Sequence, residues 1–338
     1  MATLIDVARL SGVSIKTVSR VVNNQTDVSP ETRQKVQQAI LELGYQPNTM
    51  ARSLVNGRTN MVGVIISHSA NYVFTHPFFT EVLRGIAEVL SANNFNLLLQ
   101  LAHNQAPYER LYSQKKVDGL ILMSIPLGDP GLEGLNESGA PCVCTCRLSE
   151  DGASDNWVDA DFAGGVEQAM DHLISLGHRH IALLTGPRSL VSVRLREHGY
   201  RNALKKNNLP PMDEYILEGD FTSESGHALA NQAMKLLHPP SALICGDDMM
   251  AFGAIQALKE LDYRVPEDVS VVGFDDVSLA RFSSPPLTTI RQDTYQKGRI
   301  AAETLLSLIR NKEDAAPAQI MLDTSLIIRN STAPAKHL

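Results

Sequence analysis

The chain has 338 residues, which at roughly 150 residues per domain predicts two or three domains and a core that needs no disulfide or metal staple. Hydrophobic residues make up 43% and charged residues 20%, ordinary usage that excludes a disordered, collagen-like or fibrous chain. The formal net charge of −7 taken alone argues against a polyanionic partner, but it is unevenly placed. Residues 1–58 carry Arg9, Lys16, Arg20, Arg33, Lys35, Arg52 and Arg58 against Asp6, Asp27, Glu31 and Glu42, a local +3 that leaves −10 on the remainder. A positive head on an acidic body predicts a nucleic-acid-binding module joined to a regulatory or metabolic domain.

In chain order, Met1 to Leu10 contain Asp6 and no cationic start followed by an apolar run, so no secretory signal is expected. Nowhere do ~18 to 20 apolar residues run together, so no membrane partner is expected and the predicted location is the cytoplasm. Between Ile5 and Val22, Val7, Ala8 and Leu10 form one short apolar face and Val13, Val18, Val21 and Val22 a second, with Gly12 at a tight turn and Ser14 as an N-cap. Two short helices joined in this way predict a helix-turn-helix, with Ile15, Lys16, Thr17, Ser19 and Arg20 on the outer face of the groove-reading helix. A third helix is bounded by Ser29, Pro30 and Gly44, and Val36, Ala39, Ile40 and Leu43 line its inner face.

From Met61 onward apolar runs alternate with amphipathic stretches. Buried parallel strands are predicted over 62–66, 96–101, 119–123, 142–145, 181–185, 242–245 and 269–274. Helices are predicted over 78–92, 162–176, 195–207, 223–237, 249–261 and 295–310. The predicted fold class is therefore α/β, with parallel sheets covered on both faces. The strands are too numerous for one sheet, so two lobes with a ligand cleft between them are expected. Cys142, Cys144 and Cys146 alternate along one predicted strand, which puts them on one face as reduced thiols; with Cys245 they make no disulfide framework and no zinc-site spacing. His178 and His180 flank Arg179 just before a strand and are expected as solvated turn residues. No G-x-G-x-x-G after a strand, P-loop, G-x-S-x-G elbow or H-E-x-x-H occurs, so neither an enzyme nor a bound cofactor is predicted. The doublets Asp247-Asp248 and Asp275-Asp276 fall at strand ends. Neighbouring side chains there diverge, so each doublet is expected to offer a binding group and not a general acid/base pair.

Three ordered blocks, TLIDVARLSGVSIKTVSRVVN, VSPETRQKV and LGYQPNTMARSL, resemble the headpiece of the lactose/galactose/purine repressor (LacI/GalR) family, and the likeness continues through the body. The resemblance implies that Ile15, Lys16 and Arg20 read base edges while Thr3, Ser14, Thr17, Ser19 and Asn23 hold phosphates. It further implies a hinge helix over Asn48–Asn56, including Ala51, with Leu54 as the wedge that kinks the minor groove. Val55 departs from the usual pattern there. In the body, SVRLREHGYRNAL brings Arg196 to the ligand, GDFTSESG Phe221, ICGDDMMAFGA Asp247, VSVVGFDD Asp275 and HPFFTEVLRGI Phe78 and Phe79. Thr145-Cys146-Arg147 keeps the arginine, Arg147, of a common Val-Asp-Arg ligand block but replaces its acid with a thiol, and the stretch His68 to His76 reads as an insertion.

The organisation implied is a head over 1–46, a hinge helix and linker over 47–60, and a periplasmic-binding-protein-like body over 61–331, with a tail over 332–338. Within the body, lobe 1 spans about 61–160 and 292–320, and lobe 2 about 161–291 and 321–331. The tail has no leucine heptads, so a homodimer on a pseudo-palindromic double-stranded operator is expected. Its effector is expected to be a carbohydrate-like small molecule in the cleft, with a purine or nucleoside co-repressor as the alternative.

Overall fold

The computed structural model describes residues 2–22, 25–46, 58–101, 107–150, 155–310 and 317–336. Asn23, Asn48, Ala51 and Leu54, and with them the expected hinge helix, lie outside the described residues. The chain divides into two units, Met1–Thr59 and Asn60–Leu338.

In the first unit, α1 (Leu4–Ser11), α2 (Ile15–Val22) and α3 (Pro30–Leu43) pack around Val7, Ala8, Val18, Val21, Val36 and Ala39. Local sequence sets each boundary. Thr3 and Asp6 form a reciprocal cap on α1, and Gly12 leaves that helix at φ +69°. Ser14 Oγ accepts from Thr17 N–H at 3.1 Å to start α2, and Ser29 does the same for Thr32 ahead of Pro30 in α3.

The second unit holds two six-stranded sheets. The first contains β1 (Met61–Ile66), β2 (Asn96–Leu101), β3 (Gly119–Met123), β4 (Cys142–Cys144), β5 (Trp157–Ala160) and β11 (Gln319–Leu322), in the order β11-β5-β4-β3-β1-β2. The second contains β6 (Ile181–Thr185), β7 (Ile216–Glu218), β8 (Ala242–Cys245), β9 (Ser270–Asp275), β10 (Thr288–Gln292) and β12 (Thr324–Ile327), in the order β12-β10-β9-β8-β6-β7. Every pairing is parallel except β10 with β12. Crossover helices follow from that parallel order. The first sheet is covered by α4 (Ala70–Thr75), α5 (Pro77–Ala92), α6 (Glu109–Ser113) and α11 (Thr294–Arg310). The second is covered by α7 (Phe162–Ser175), α8 (Val191–Lys206), α9 (Ser223–Ala233) and α10 (Asp248–Glu260). The chain passes between sheets three times: after β5, after β10 and between β11 and β12.

Four expectations change. The sequence pattern passes over β5, β7, β10, β11 and β12 and the short helices α4 and α6; β5 carries a buried Asp159 inside an otherwise apolar run, and β11 alternates exposed with half-buried residues. Helix α8 starts at Val191 instead of Leu195, because no side chain caps its N-terminus and no cap signal marks it. The strand carrying the cysteines stops at Cys144, so the three thiols do not share a face: Cys142 and Cys144 pack in the first lobe while Cys146 borders the cleft. His178 is buried, not solvated; its ring nitrogens meet Ser241 Oγ at 2.9 Å and Ser270 Oγ at 3.1 Å, and Nε2 also reaches the Ala333 carbonyl at 3.0 Å. It thereby ties the described tail to the second lobe.

Candidate functional site

On the head, α2 turns Val18 and Val21 inward and leaves Ile15 48% exposed, with Lys16 exposed and Thr17, Ser19 and Arg20 half-buried beside them. An exposed isoleucine next to two cations suits a groove in which an apolar contact meets a thymine methyl and Arg20 forks onto guanine. Arg20 Nη1 lies 3.3 Å from Asp27, which aims the guanidinium. The hydroxyl of Thr3 is engaged by Asp6, and that of Ser14 lies 2.9 Å from the Thr17 hydroxyl.

The second site is the cleft between the two sheets of the body. Strand ends deliver its acidic wall: β8 ends just before Asp247 and β9 ends on Asp275. Asp247 caps α10 by accepting from Met250 N–H at 2.7 Å, and its other oxygen meets His76 Nε2 at 2.8 Å. His76 belongs to the first lobe, where its Nδ1 accepts from Phe78 N–H at the start of α5. This fixes the ring as an Nε2 donor and links the two lobes across the cleft. Burial alone would disfavour the imidazolium, but the Asp247 carboxylate more than offsets that and raises the His76 pKa. Asp275 accepts from Gln292 Nε2 at 2.5 Å; burial pushes its carboxyl up to about 6 although Arg196 pulls the other way.

The second member of each acidic doublet serves the frame. Buried Asp248 accepts from Thr289 Oγ1 at 2.5 Å and Val277 N–H at 2.8 Å, and burial holds its carboxyl well above the usual range. Asp276 pairs with Arg291 at 2.6 Å and Arg329 at 2.5 Å. Divergence of adjacent side chains at a strand end thus separates a cleft residue from a structural one in both doublets.

Arg196 is buried between the rings of Phe162 and Phe274, each centroid 4.2 Å from the guanidinium carbon. It donates to the Ser192 carbonyl at 3.1 Å, while its Nε has no partner. Phe221 borders the same space at φ +64°, and Asp275 adopts φ +105°. Both are costly conformations for side chains of their size, about 1–3 kcal/mol each, and both fall at this cleft. Phe78 and Phe79 line the first-lobe side, Phe79 being also part of that lobe's core.

The expected ligand residue Arg147 does not line the cleft. Its Nε lies 3.3 Å from Asp159, and its guanidinium sits over Trp157. Residue by residue the sequence also missed His68, Tyr72, His76, Gln292 and Lys297, all of which line the cleft. The first three lie in and around α4, the insertion-like stretch. A lysine in the 297, 301, 305 stripe of α11, otherwise alanine and leucine, was a legible anomaly. The space left in the cleft is about 60 Å³, well under the ~150 Å³ that admits a benzene. The lobes are closed on one another, with His76 and Asp247 as the clasp. Among the described residues no His, Cys, Asp and Glu cluster has the makings of a metal site, and no helix is long and apolar enough to cross a membrane.

Residues 3–48 match the family model for bacterial regulatory proteins of the lacI family, and residues 170–332 that for the periplasmic binding protein-like domain. The transcriptional regulator CelR of Thermobifida fusca is 37% identical over 333 residues, covering 97% of this chain and 98% of that protein. A solved CelR–cellobiose complex is 36% identical with a TM-score of 0.76, covering 98% of this chain and all of the other. The lac repressor dimer bound to operator and an anti-inducer is 31% identical with a TM-score of 0.85, covering 98% and 99%. With a matching head, a matching body and such identity over nearly its whole length, the chain belongs to the lacI family of DNA-binding bacterial transcription regulators.

Proposed function

We propose that the protein is a cytoplasmic, dimeric repressor whose hold on a pseudo-palindromic operator is set by a small sugar or sugar derivative in the interlobe cleft. The observation that carries the effector reading is the meeting of Asp247 and Asp275 with Arg196 and a set of aromatic rings in one buried space. Carboxylates accept hydroxyl hydrogens, a guanidinium donates, and rings cover the apolar face of a pyranose. The CelR–cellobiose complex supports the same class of ligand.

Admitting a sugar requires the lobes to part and the His76–Asp247 bond to break, so effector and imidazole compete for one carboxylate. That competition gives the ligand a differential affinity for two lobe arrangements, the only means by which it can shift operator binding. Asn48, Ala51 and Leu54 are assigned to the hinge that reports the change to DNA; Thr3, Ser14, Thr17, Ser19 and Asn23 are assigned to phosphates, and Ile15, Lys16 and Arg20 to bases.

A thermal-shift screen of sugars and purines tests the reading, because a selective ligand stabilises the fold by mass action. At least one sugar is expected to raise the Tm of the wild type and not of Asp275→Ala, which keeps operator binding. A purine that alone raises it would replace sugar with base as the effector.

A further inference from the structure

We propose that Lys297 is the effector's anchor on the first lobe: its ammonium donates to an oxygen of the bound sugar, while hydroxyl hydrogens of the same sugar go to Asp247 and Asp275 on the second lobe. This rests on the sugar reading above and names the residue that orients the ligand.

Lys297 sits in the first turn of α11, just after the chain has crossed between lobes, and is only 1% exposed. Lysines are almost never buried to that degree without good partners. Its partner is Asp159, and the match is lopsided. Asp159, fully buried, already accepts from Arg147 N–H at 3.2 Å, Arg147 Nε at 3.3 Å and Ala160 N–H at 2.9 Å, so it is satisfied without the lysine. Lys297 has three donors and makes one long bond, 3.4 Å, to Asp159 Oδ1. Its Nζ otherwise stands 5.1 Å from the Phe162 ring centre and borders the cleft.

Two further buried atoms are left without partners at the same place, Arg196 Nε and Gln292 Oε1; among the described residues the third such atom belongs to Glu109, away from the cleft. Unused hydrogen-bonding capacity therefore gathers where the effector would lie. A poorly paired buried charge costs stability, and proteins keep such groups where function uses them.

The charges around the cleft set the class of ligand. Among the charged side chains that line the cleft, Lys297 stands on the first-lobe side, and on the second Asp247 and Asp275 outnumber Arg196. A neutral polyol spans such a pair of walls with oxygen toward Lys297 and hydroxyl hydrogen toward the acids. A sugar acid would set its own charge among carboxylates. Cys146, where the common ligand block carries an acid, leaves no carboxylate among the described residues lining that wall.

The test compares melting temperatures of wild type, Lys297→Met and Lys297→Arg, empty and with D-glucose, D-galactose, D-ribose or cellobiose. Empty Lys297→Met is expected to melt about 2 °C or more above wild type, since an apolar side chain replaces a poorly paired charge. Any sugar that stabilises wild type is expected to bind Lys297→Met at least ~10-fold more weakly, a loss of about 1.4 kcal/mol, with partial recovery in Lys297→Arg. A lower Tm for empty Lys297→Met that Lys297→Arg restores would make Lys297 a structural partner of Asp159 and overturn the proposal. Equal sugar shifts in wild type and Lys297→Met would also overturn it while leaving the sugar reading intact. No shift of wild type by any of the four sugars would defeat the sugar reading and, with it, the anchor.

Discussion

Asp275 and His76 stand on opposite sides of the closed cleft, together with Asp247, Arg196 and Gln292. Burial raises Asp275 to about 6, and Asp247 raises His76 from its ordinary 6.5. As pH falls through about 6, Asp275 takes up a proton and exchanges an accepting carboxylate oxygen for an O–H donor. That change opposes a sugar hydroxyl donating there, so calorimetric affinity is expected to fall about tenfold from pH 7.5 to 5, one pKa unit's worth of protonation. His76→Gln, which keeps a donor, should retain this fall. A pH-independent affinity would remove Asp275 from the binding step. For folding, the raised Asp275 pKa favours the neutral acid, so its contribution is present below the ordinary 3.8 and is lost as pH rises through about 6. A second residue-scale prediction concerns Phe221. A Cβ on Gly186 would lie 2.1 Å from Phe221 Cζ, so Gly186→Ala must push the ring out of place. The expected cost is about 1–3 kcal/mol of stability, read as a lower Tm, with sugar affinity reduced more than operator affinity.

At the scale of elements, the helix-turn-helix depends on short-range devices that the sequence displays openly. Ser14→Ala removes the cap of α2 and is expected to cost the head about 1 kcal/mol, weakening binding to all DNA sequences alike. Arg20→Ala is expected instead to relax base preference at one operator position by about 1–3 kcal/mol, measured by binding to single-base operator variants. Its exposed bond to Asp27 contributes little to stability, so the two variants separate folding from reading. The elements that the sequence showed best were those with strong caps or unbroken apolar runs: α3 between Ser29-Pro30 and Gly44, and β1, β3 and β8, buried along most of their length. Those it hid lack such signals. Helix α8 has no capping side chain, β7 is three residues long, and β5 interrupts its apolar run with Asp159, whose charge is made tolerable by its tertiary partner Arg147.

At the scale of the whole chain, the uneven charge acquires a use. A head of +3 and a remainder of −10 limit non-specific adhesion to DNA and leave the head to hold the operator. The two lobes, joined at three crossings, form a body in which the bond between His76 and Asp247 bridges the cleft. The second-lobe half of that cleft was legible in sequence because Arg196, Asp247 and Asp275 stand next to recognisable strand ends. The first-lobe half was not: His68, Tyr72 and His76 come from an insertion-like stretch, and Lys297 comes from a helix whose pattern marks that face as core. Arg147 was misplaced because its pairing with Asp159 depends on β4 lying beside β5, which no local pattern announces.

Operator affinity measured with and without effector is the most direct test of coupling between cleft and head. An operator selected by the purified full chain from a random DNA pool, labelled for fluorescence anisotropy, would be titrated alone and with the sugar that most raises the Tm. The Kd is expected to change about 5- to 150-fold, the usual span of a coupling free energy of ~1–3 kcal/mol, and Asp275→Ala should abolish the change while keeping the unliganded Kd. An unchanged Kd at saturating sugar, or a change of the same size in Asp275→Ala, would contradict control of the operator through this cleft.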